Sequence, residues 1–361
     1  MEKKVKVLLI QNTLQRYRTP IYKLIQKEVD LQLAFTEKND IVDPELKVMK
    51  LSSAKLGPIR IHQKLYKILN QYDVVISQPH LSCVRLLLLQ WLPRKFKLIN
   101  WGIGVHASYS SPFDLSKKPS LADKITECIQ DASDACIFYM RETIDYWAKY
   151  RKIDYKKYFV AHNTVEVADF GEMPLFEKRD SFLFVGTLYA QKGLGELIEA
   201  YQKAKRLKSK LPKLNIVGKG PEQEIIREQI KEAGLEENII LCGPIYDESI
   251  LKDYFLRAIL CISPKQAGLS VQKSFGYGTP FVTRPDAITG GERLDIKNGQ
   301  NGFFYNTVEE LSDILCDSVV NTENLRKMSE NARDYYVNNC TPENMANGVL
   351  DAIRYVMRNK Q

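Results

Sequence analysis

Short apolar runs alternate with longer segments of helical periodicity along almost the whole chain. Residues 5–10, 31–35, 74–77, 96–101, 135–139 and 158–162 read as buried strands, rich in Val, Ile, Leu and aromatic residues. The pattern restarts with 182–185, 214–217, 239–242, 261–263 and 281–283. Between them, apolar residues return at helical spacing over 63–69, 195–204, 222–233, 269–276, 322–336 and 342–358. Strands alternating with helices predict an α/β chain with parallel sheets, because a parallel pair needs a long crossover. Thr19-Pro20 reads as the N-cap and first position of a helix carrying Ile21, Leu24 and Ile25 on one face. Thr341-Pro342-Glu343 is a start signal for the last helix.

A chain of 361 residues is too long for one core and suits two domains. The weakly periodic stretch 163–177 reads as the linker. The expected divisions are 1–168, 169–340 and a terminal helix, 341–361.

Charge is uneven. Residues 1–168 hold 27 Lys and Arg against 17 Asp and Glu, whereas the remainder holds 25 against 27. All of the +8 net charge therefore belongs to the first half. It is either an ordinary solvated surface or an attraction for an anionic membrane face or a phosphate-bearing substrate. The seven cysteines are scattered with no C-x-x-C pair, which argues for a reducing compartment. The four histidines, His62, His80, His106 and His162, show no metal-ligand spacing, and no metal is expected. The apolar run 86–92 is interrupted by Gln90 and falls far short of the ~20 residues that cross a bilayer. The amino terminus passes straight from a strand into a polar loop rather than a leader with a cleavage site. A cytoplasmic protein is expected, at most touching the inner face of a membrane from the side. No aromatic–basic repeat suggests nucleic-acid binding.

Three segments carry possible chemistry. In 182–193, FLFVGTLYAQKG, a strand runs into Gly186 and a turn leads to Lys192-Gly193 before a helix. Glycine there lets backbone approach a ligand, and Lys192 can meet a phosphate or simply sit in solvent. In 214–225, Gly218-Lys219-Gly220-Pro221 lacks the third glycine of a dinucleotide fingerprint, so an NAD site is unsupported and the turn reads as structural. In 261–305, a strand ends at Ser263, Gly268 opens a short helix, and glycine turns follow at 290–291 and 299–302. Free amides at a helix start suit a diphosphate or sugar hydroxyls. These turns all follow consecutive strands, at the edge where open α/β sheets bind ligands.

In order and spacing, VGTLYAQKG, IVGKGPE, NIILCGPI, GLSVQKSFGYGTP and GG…NGQNGFF resemble the large retaining family 4 of GT-B glycosyltransferases, the glycosyl transferases group 1. The match spans about residues 180–305; the first half resembles the family only in layout. The resemblance implies two Rossmann-like, doubly wound parallel-sheet domains facing across a cleft, with the terminal helix crossing back to the first. It implies transfer of a sugar from a UDP- or GDP-linked donor, without metal or other cofactor, to a glycan or lipid-linked acceptor in polysaccharide synthesis. By the same resemblance Lys192 would pair with the donor diphosphate. Gly186 and Thr187 would lie beside it, and Gly268, Leu269 and Ser270 would face the donor sugar and diphosphate. Gln272 would bind the ribose, Ile245 would border the base, and His106 would reach into the cleft.

There are departures. Pro264 and Gln272 stand where glutamates are usual, Thr187 where an arginine is frequent, and Leu294 where a glutamate is expected, with Glu292 and Asp295 nearby. Lys265 or Arg284 would have to supply the second cation. These losses leave open a non-catalytic GT-B protein that binds a nucleotide-sugar or a partner; a nucleotide-sugar epimerase is a further alternative.

Overall fold

The computed structural model describes residues 4–57, 59–78, 83, 86, 88–105 and 113–358. The chain forms two compact units, Met1–Asn163 with Thr341–Gln361, and Thr164–Cys340.

The first unit is a parallel sheet with a separate hairpin. Its strands are β1 (Lys6–Leu14), β2 (Asp30–Asn39), β3 (Lys47–Lys50), β4 (Ser53–Leu56), β5 (Ile59–His62), β6 (Val74–Ser77), β7 (Lys97–Gly102), β8 (Ala135–Phe138) and β9 (Tyr158–Val160). Seven form one sheet in the order β3-β2-β1-β6-β7-β8-β9, while β4 and β5 pair antiparallel on their own. Alternation of side chains along each strand fills two layers. Val7, Leu9, Val74, Ile76 and Ile99 pack on one face with Ile21 and Ile25 of the helix Thr19–Glu28 and Met345, Val349 and Ile353 of the helix Pro342–Arg358. Leu8, Ile10, Val75 and Leu98 pack on the other with Leu65, Leu69 and Phe96. The terminal helix starts where Thr341 Oγ1 accepts from Asn344 N at 3.2 Å. It lies so close to β9 that a Cβ on Gly348 would overlap the Val160 carbonyl oxygen. Thr19 is not the cap expected of it: it is the first helical residue, Arg18 holds the cap position, and Pro20 sits in the first turn.

The second unit carries β10 (Ser181–Val185), β11 (Lys213–Val217), β12 (Ile239–Gly243), β13 (Ala258–Ile262), β14 (Phe281–Thr283) and β15 (Gly302–Phe304). All pair parallel, in the order β12-β11-β10-β13-β14-β15. Phe182 and Phe184 face Leu197 and Tyr201 of the helix Leu194–Leu207, and Leu183 and Cys261 face Val271 and Phe275. Gly302, expected in a turn, begins a strand, because it must lie against Phe281: a Cβ there would overlap the Phe281 carbonyl oxygen. The strand order reverses direction between β10 and β13. The C-terminal ends of those two strands therefore flank the crevice where doubly wound sheets take ligands.

Among the described residues no helix is long and apolar enough to cross a membrane.

Candidate functional site

The crevice is framed first by backbone. Gly186 follows β10 and Gly218 follows β11. Gly218 adopts φ +150°, and a Cβ on it would overlap the Gly186 carbonyl oxygen. Gly220 is equally confined, against the backbone of Leu188. Gly186 N donates to Val217 O at 3.0 Å, Leu188 N to Lys219 O at 3.1 Å and Glu222 N to Leu188 O at 3.1 Å. The Gly218-Lys219-Gly220 turn thus braces the loop after β10, as its structural reading required.

That loop carries Lys192. A single helical turn, Ala190–Lys192, ends at Gly193, whose φ of +70° redirects the chain into the helix Leu194–Leu207. The lysine stem folds back toward the strand end. A Cβ on Gly186 would lie 3.3 Å from Nζ. Burial lowers the pKa of the half-buried ammonium, opposed only by the neighbouring Cys261 thiol of β13. Nζ makes no hydrogen bond or ion pair with any of the described residues.

Its cationic neighbours are different. Arg284 Nη1 reaches Glu196 Oε1 at 2.7 Å, and Lys265 Nζ lies 3.7 Å from Glu196 Oε2. Arg284 also meets Asp286 at 3.4 Å. The second phosphate-binding cation expected from Lys265 or Arg284 is therefore already engaged by carboxylate. Lys192 alone of the three is unneutralised, and a desolvated cation of that kind gains from any anion that reaches it.

The wall beyond β13 is a tight loop. Ser263 Oγ donates to Gln266 O at 2.7 Å, and Ala267 N donates to Ile288 O at 2.8 Å. Gly268 has open space where a Cβ would stand. Leu269 occupies the cap position of the helix Ser270–Gly276 without a side-chain cap. Gly268, Leu269 and Ser270 are each only partly buried. Thr187 is exposed. Ile245 is half-buried two residues after Gly243, whose carbonyl accepts from Gly218 N at 2.8 Å. The strand ends thus gather Gly186, Thr187, Lys192 and the Gly268 loop, with Ile245 beside the neighbouring strand end.

Gln272 lies on the helix that follows this loop. Its side chain is 1% exposed and turned inward, with Nε2 donating to Asp295 Oδ2 at 2.6 Å. Tyr335 donates to the other oxygen of Asp295 at 2.7 Å. Gln272 Oε1 is buried with no acceptor role filled. It closes a buried polar cluster. Its neighbour Lys273 lies on the more exposed side and pairs with Glu248. His106 lies outside the described residues.

Residues 168–335 match the family described as glycosyl transferases group 1. A stretch of 158 residues is 29% identical to an exopolysaccharide phosphotransferase of Streptomyces coelicolor, covering 41% of this chain and only 16% of that relative's length. Among solved structures, a glycosyltransferase from Rickettsia africae superposes with a TM-score of 0.71 at 16% identity, covering 99% of this chain and 100% of that one. Anabaena HepE, solved in complex with UDP, gives 0.68 at 13% identity, covering 97% and 99%. Identities this low speak for the fold alone. Residues 168–335 thus match the glycosyl transferases group 1 model, within a chain that has the two-sheet GT-B fold.

Proposed function

We propose that the protein transfers a sugar from a UDP- or GDP-linked donor to a glycan or lipid-linked acceptor in cell-surface polysaccharide synthesis. The observation that carries this is Lys192: a desolvated ammonium with no counter-ion among the described residues, at the point where the strand order reverses. In the transfer, the bond from the sugar C1 to the diphosphate oxygen breaks and its electron pair leaves on that oxygen. The acceptor hydroxyl forms the new bond and releases its proton. Charge grows on the departing diphosphate, and Lys192 stands where it can meet that charge without a metal ion. Retention of the donor's configuration at C1 belongs to the same proposal, on the strength of the resemblance to the retaining family 4. HepE, solved with UDP, and a relative named for exopolysaccharide support the donor class and the setting. The basic excess of residues 1–168 supports an acceptor, or a membrane face, bearing negative charge. Seven free cysteines support work on the reducing, cytoplasmic side.

The test is a thermal-shift screen with UDP- and GDP-sugars, followed by release of nucleoside diphosphate in the presence of glycan acceptors. Stabilisation by one donor class together with turnover is the expected result. A non-catalytic, nucleotide-sugar-binding reading has its own support, since Pro264 and the inward-turned Gln272 leave the expected carboxylate positions empty of acid. Stabilisation without any turnover would favour it. Neither stabilisation nor turnover would end both.

A further inference from the structure

A buried guanidinium lies in the first unit. Arg18 follows β1, yet its side chain is folded in and the residue is only 6% exposed. It stacks near three aromatic rings: Trp101 at 5.2 Å, Tyr139 at 5.5 Å and Tyr17 at 5.6 Å from Cζ to ring centroid. Its hydrogen bonds go to neutral side-chain oxygens: Nη2 to Tyr139 at 2.8 Å and Asn163 Oδ1 at 3.3 Å, and Nε to Tyr17 at 3.2 Å. No carboxylate among the described residues pairs with it.

Trp101, 3% exposed, adds a second unmet demand: its indole Nε1 is buried with no acceptor among the described residues. A buried donor left unpaired is costly unless something arrives to accept from it. Arg18, Trp101, Tyr139 and Asn163 come from the loop after β1, the end of β7 and the segments just after β8 and β9. All therefore stand at the C-terminal edge of the parallel sheet, the ligand edge of this architecture.

Arg179 of the second unit shows what a purely structural arginine looks like here. It too is 6% exposed, but it sits just before β10, at the opposite, N-terminal edge. Its two Nη atoms make six hydrogen bonds, four of them to the backbone carbonyls of Phe255, Ala258, Tyr277 and Gly278 and two to Thr279 and Ser329 hydroxyls. Both Nη atoms are spent on the chain itself, and only Nε lacks an acceptor among the described residues.

We infer that the Arg18 cage is an oxyanion site, in which the guanidinium and the Trp101 indole N–H take a phosphate or carboxylate oxygen of the acceptor. Only the word acceptor rests on the sugar-transfer reading; the anion site stands without it. Arginine suits the task because its planar fork matches both groups and aromatic faces hold it in place.

The experiment is calorimetric titration of the full-length Lys192→Ala protein, in which the diphosphate cation of the second unit is removed, with methyl phosphate and separately with acetate. Binding of methyl phosphate indicates a phosphorylated acceptor, and binding of acetate alone a uronate-like one; either supports the site. Arg18→Gln is expected to weaken that binding roughly tenfold or more. Trp101→Phe, which keeps the ring and loses the N–H, is expected to weaken it several-fold, and it decides the matter if Arg18→Gln does not fold. Binding of neither anion, or binding unchanged in both variants, overturns the proposal. No donor and no turnover enter the measurement, so a failure of sugar transfer would leave it readable.

Discussion

The two units build their sheets in the same way and finish the ligand edges differently. In each, the first strand lies inside the sheet and the strand order reverses beside it, between β1 and β6 in one unit and β10 and β13 in the other. At the second unit's edge, glycines bring backbone together and the half-buried Lys192 has no partner among the described residues. At the first unit's edge, aromatic rings enclose a guanidinium. Topology therefore says where a ligand can bind, and the residues on the strand ends say what kind. Close backbone and a compact ammonium suit a diphosphate; rings around a planar cation suit an anionic group on a bulkier molecule.

The largest expected effect separates these edges. Lys192→Ala should lower turnover about 10²–10³-fold, the scale of losing a group that stabilises developing negative charge. Its stability to urea should not fall, because the cation it removes has no partner among the described residues. A turnover within twofold of the parent would remove the distinction.

Next comes the contrast between the two buried arginines. Arg179→Met removes six hydrogen bonds from a buried cluster and should cost about 2–4 kcal/mol in urea unfolding. Arg18→Met should cost clearly less, since its lost partners are three side-chain oxygens. Equal costs would mean that Arg18 is as much a structural lock as Arg179.

Glycine substitutions test the backbone edge at smaller scale. Gly218→Ala, where φ is +150° and a carbonyl oxygen fills the Cβ position, should destabilise by about 1–3 kcal/mol and weaken UDP binding. Gly268→Ala, with open space at the same atom, should change stability by no more than about 0.5 kcal/mol. Unfolding curves that rank the two the other way would contradict the close approach.

The smallest effect concerns protons. Burial lowers the folded-state pKa of Lys192 below 10.5, so the unfolded chain holds that proton to higher pH. Where the unfolded state binds more protons, stability rises with pH. The lysine's penalty should therefore fade as pH climbs through its folded pKa toward 10.5, and affinity for a diphosphate should decline over the same window. Comparing thermal midpoints of the parent and Lys192→Met along that range checks the sign. In the same window UDP binding should be accompanied by proton uptake, visible in calorimetry with buffers of different ionisation enthalpy.

The central strands were legible because a parallel strand buried on both faces is a nearly continuous apolar run. Phe182–Val185 and Val74–Ser77 are of that kind, whereas β3, with its sequence KVMK and partial exposure, reads as no element at all. Three unread helices had signals in their caps. Ser120 and Asp123 form a capping box before Leu121–Asp131, Asp247 accepts from Ser249 N before Glu248–Arg257, and Thr307 accepts from Glu310 N before Val308–Asp317. At the site, strand ends and glycine turns locate Lys192, but its bare state depends on Glu196 being held by Arg284, 88 positions away. The inward rotamer of Gln272 was illegible for a similar reason, because Asp295 and Tyr335, which make it favourable, are distant in sequence. Arg18 carries no periodic signal; its cage is assembled from four separated segments of the first unit.

The most direct measurement is a crystal structure with UDP, and in parallel with GDP. The account predicts a diphosphate at the C-terminal ends of β10 and β13, with an oxygen at about 3 Å from Lys192 Nζ. A nucleotide bound elsewhere, or one bound there with Lys192 turned away into solvent, would contradict it.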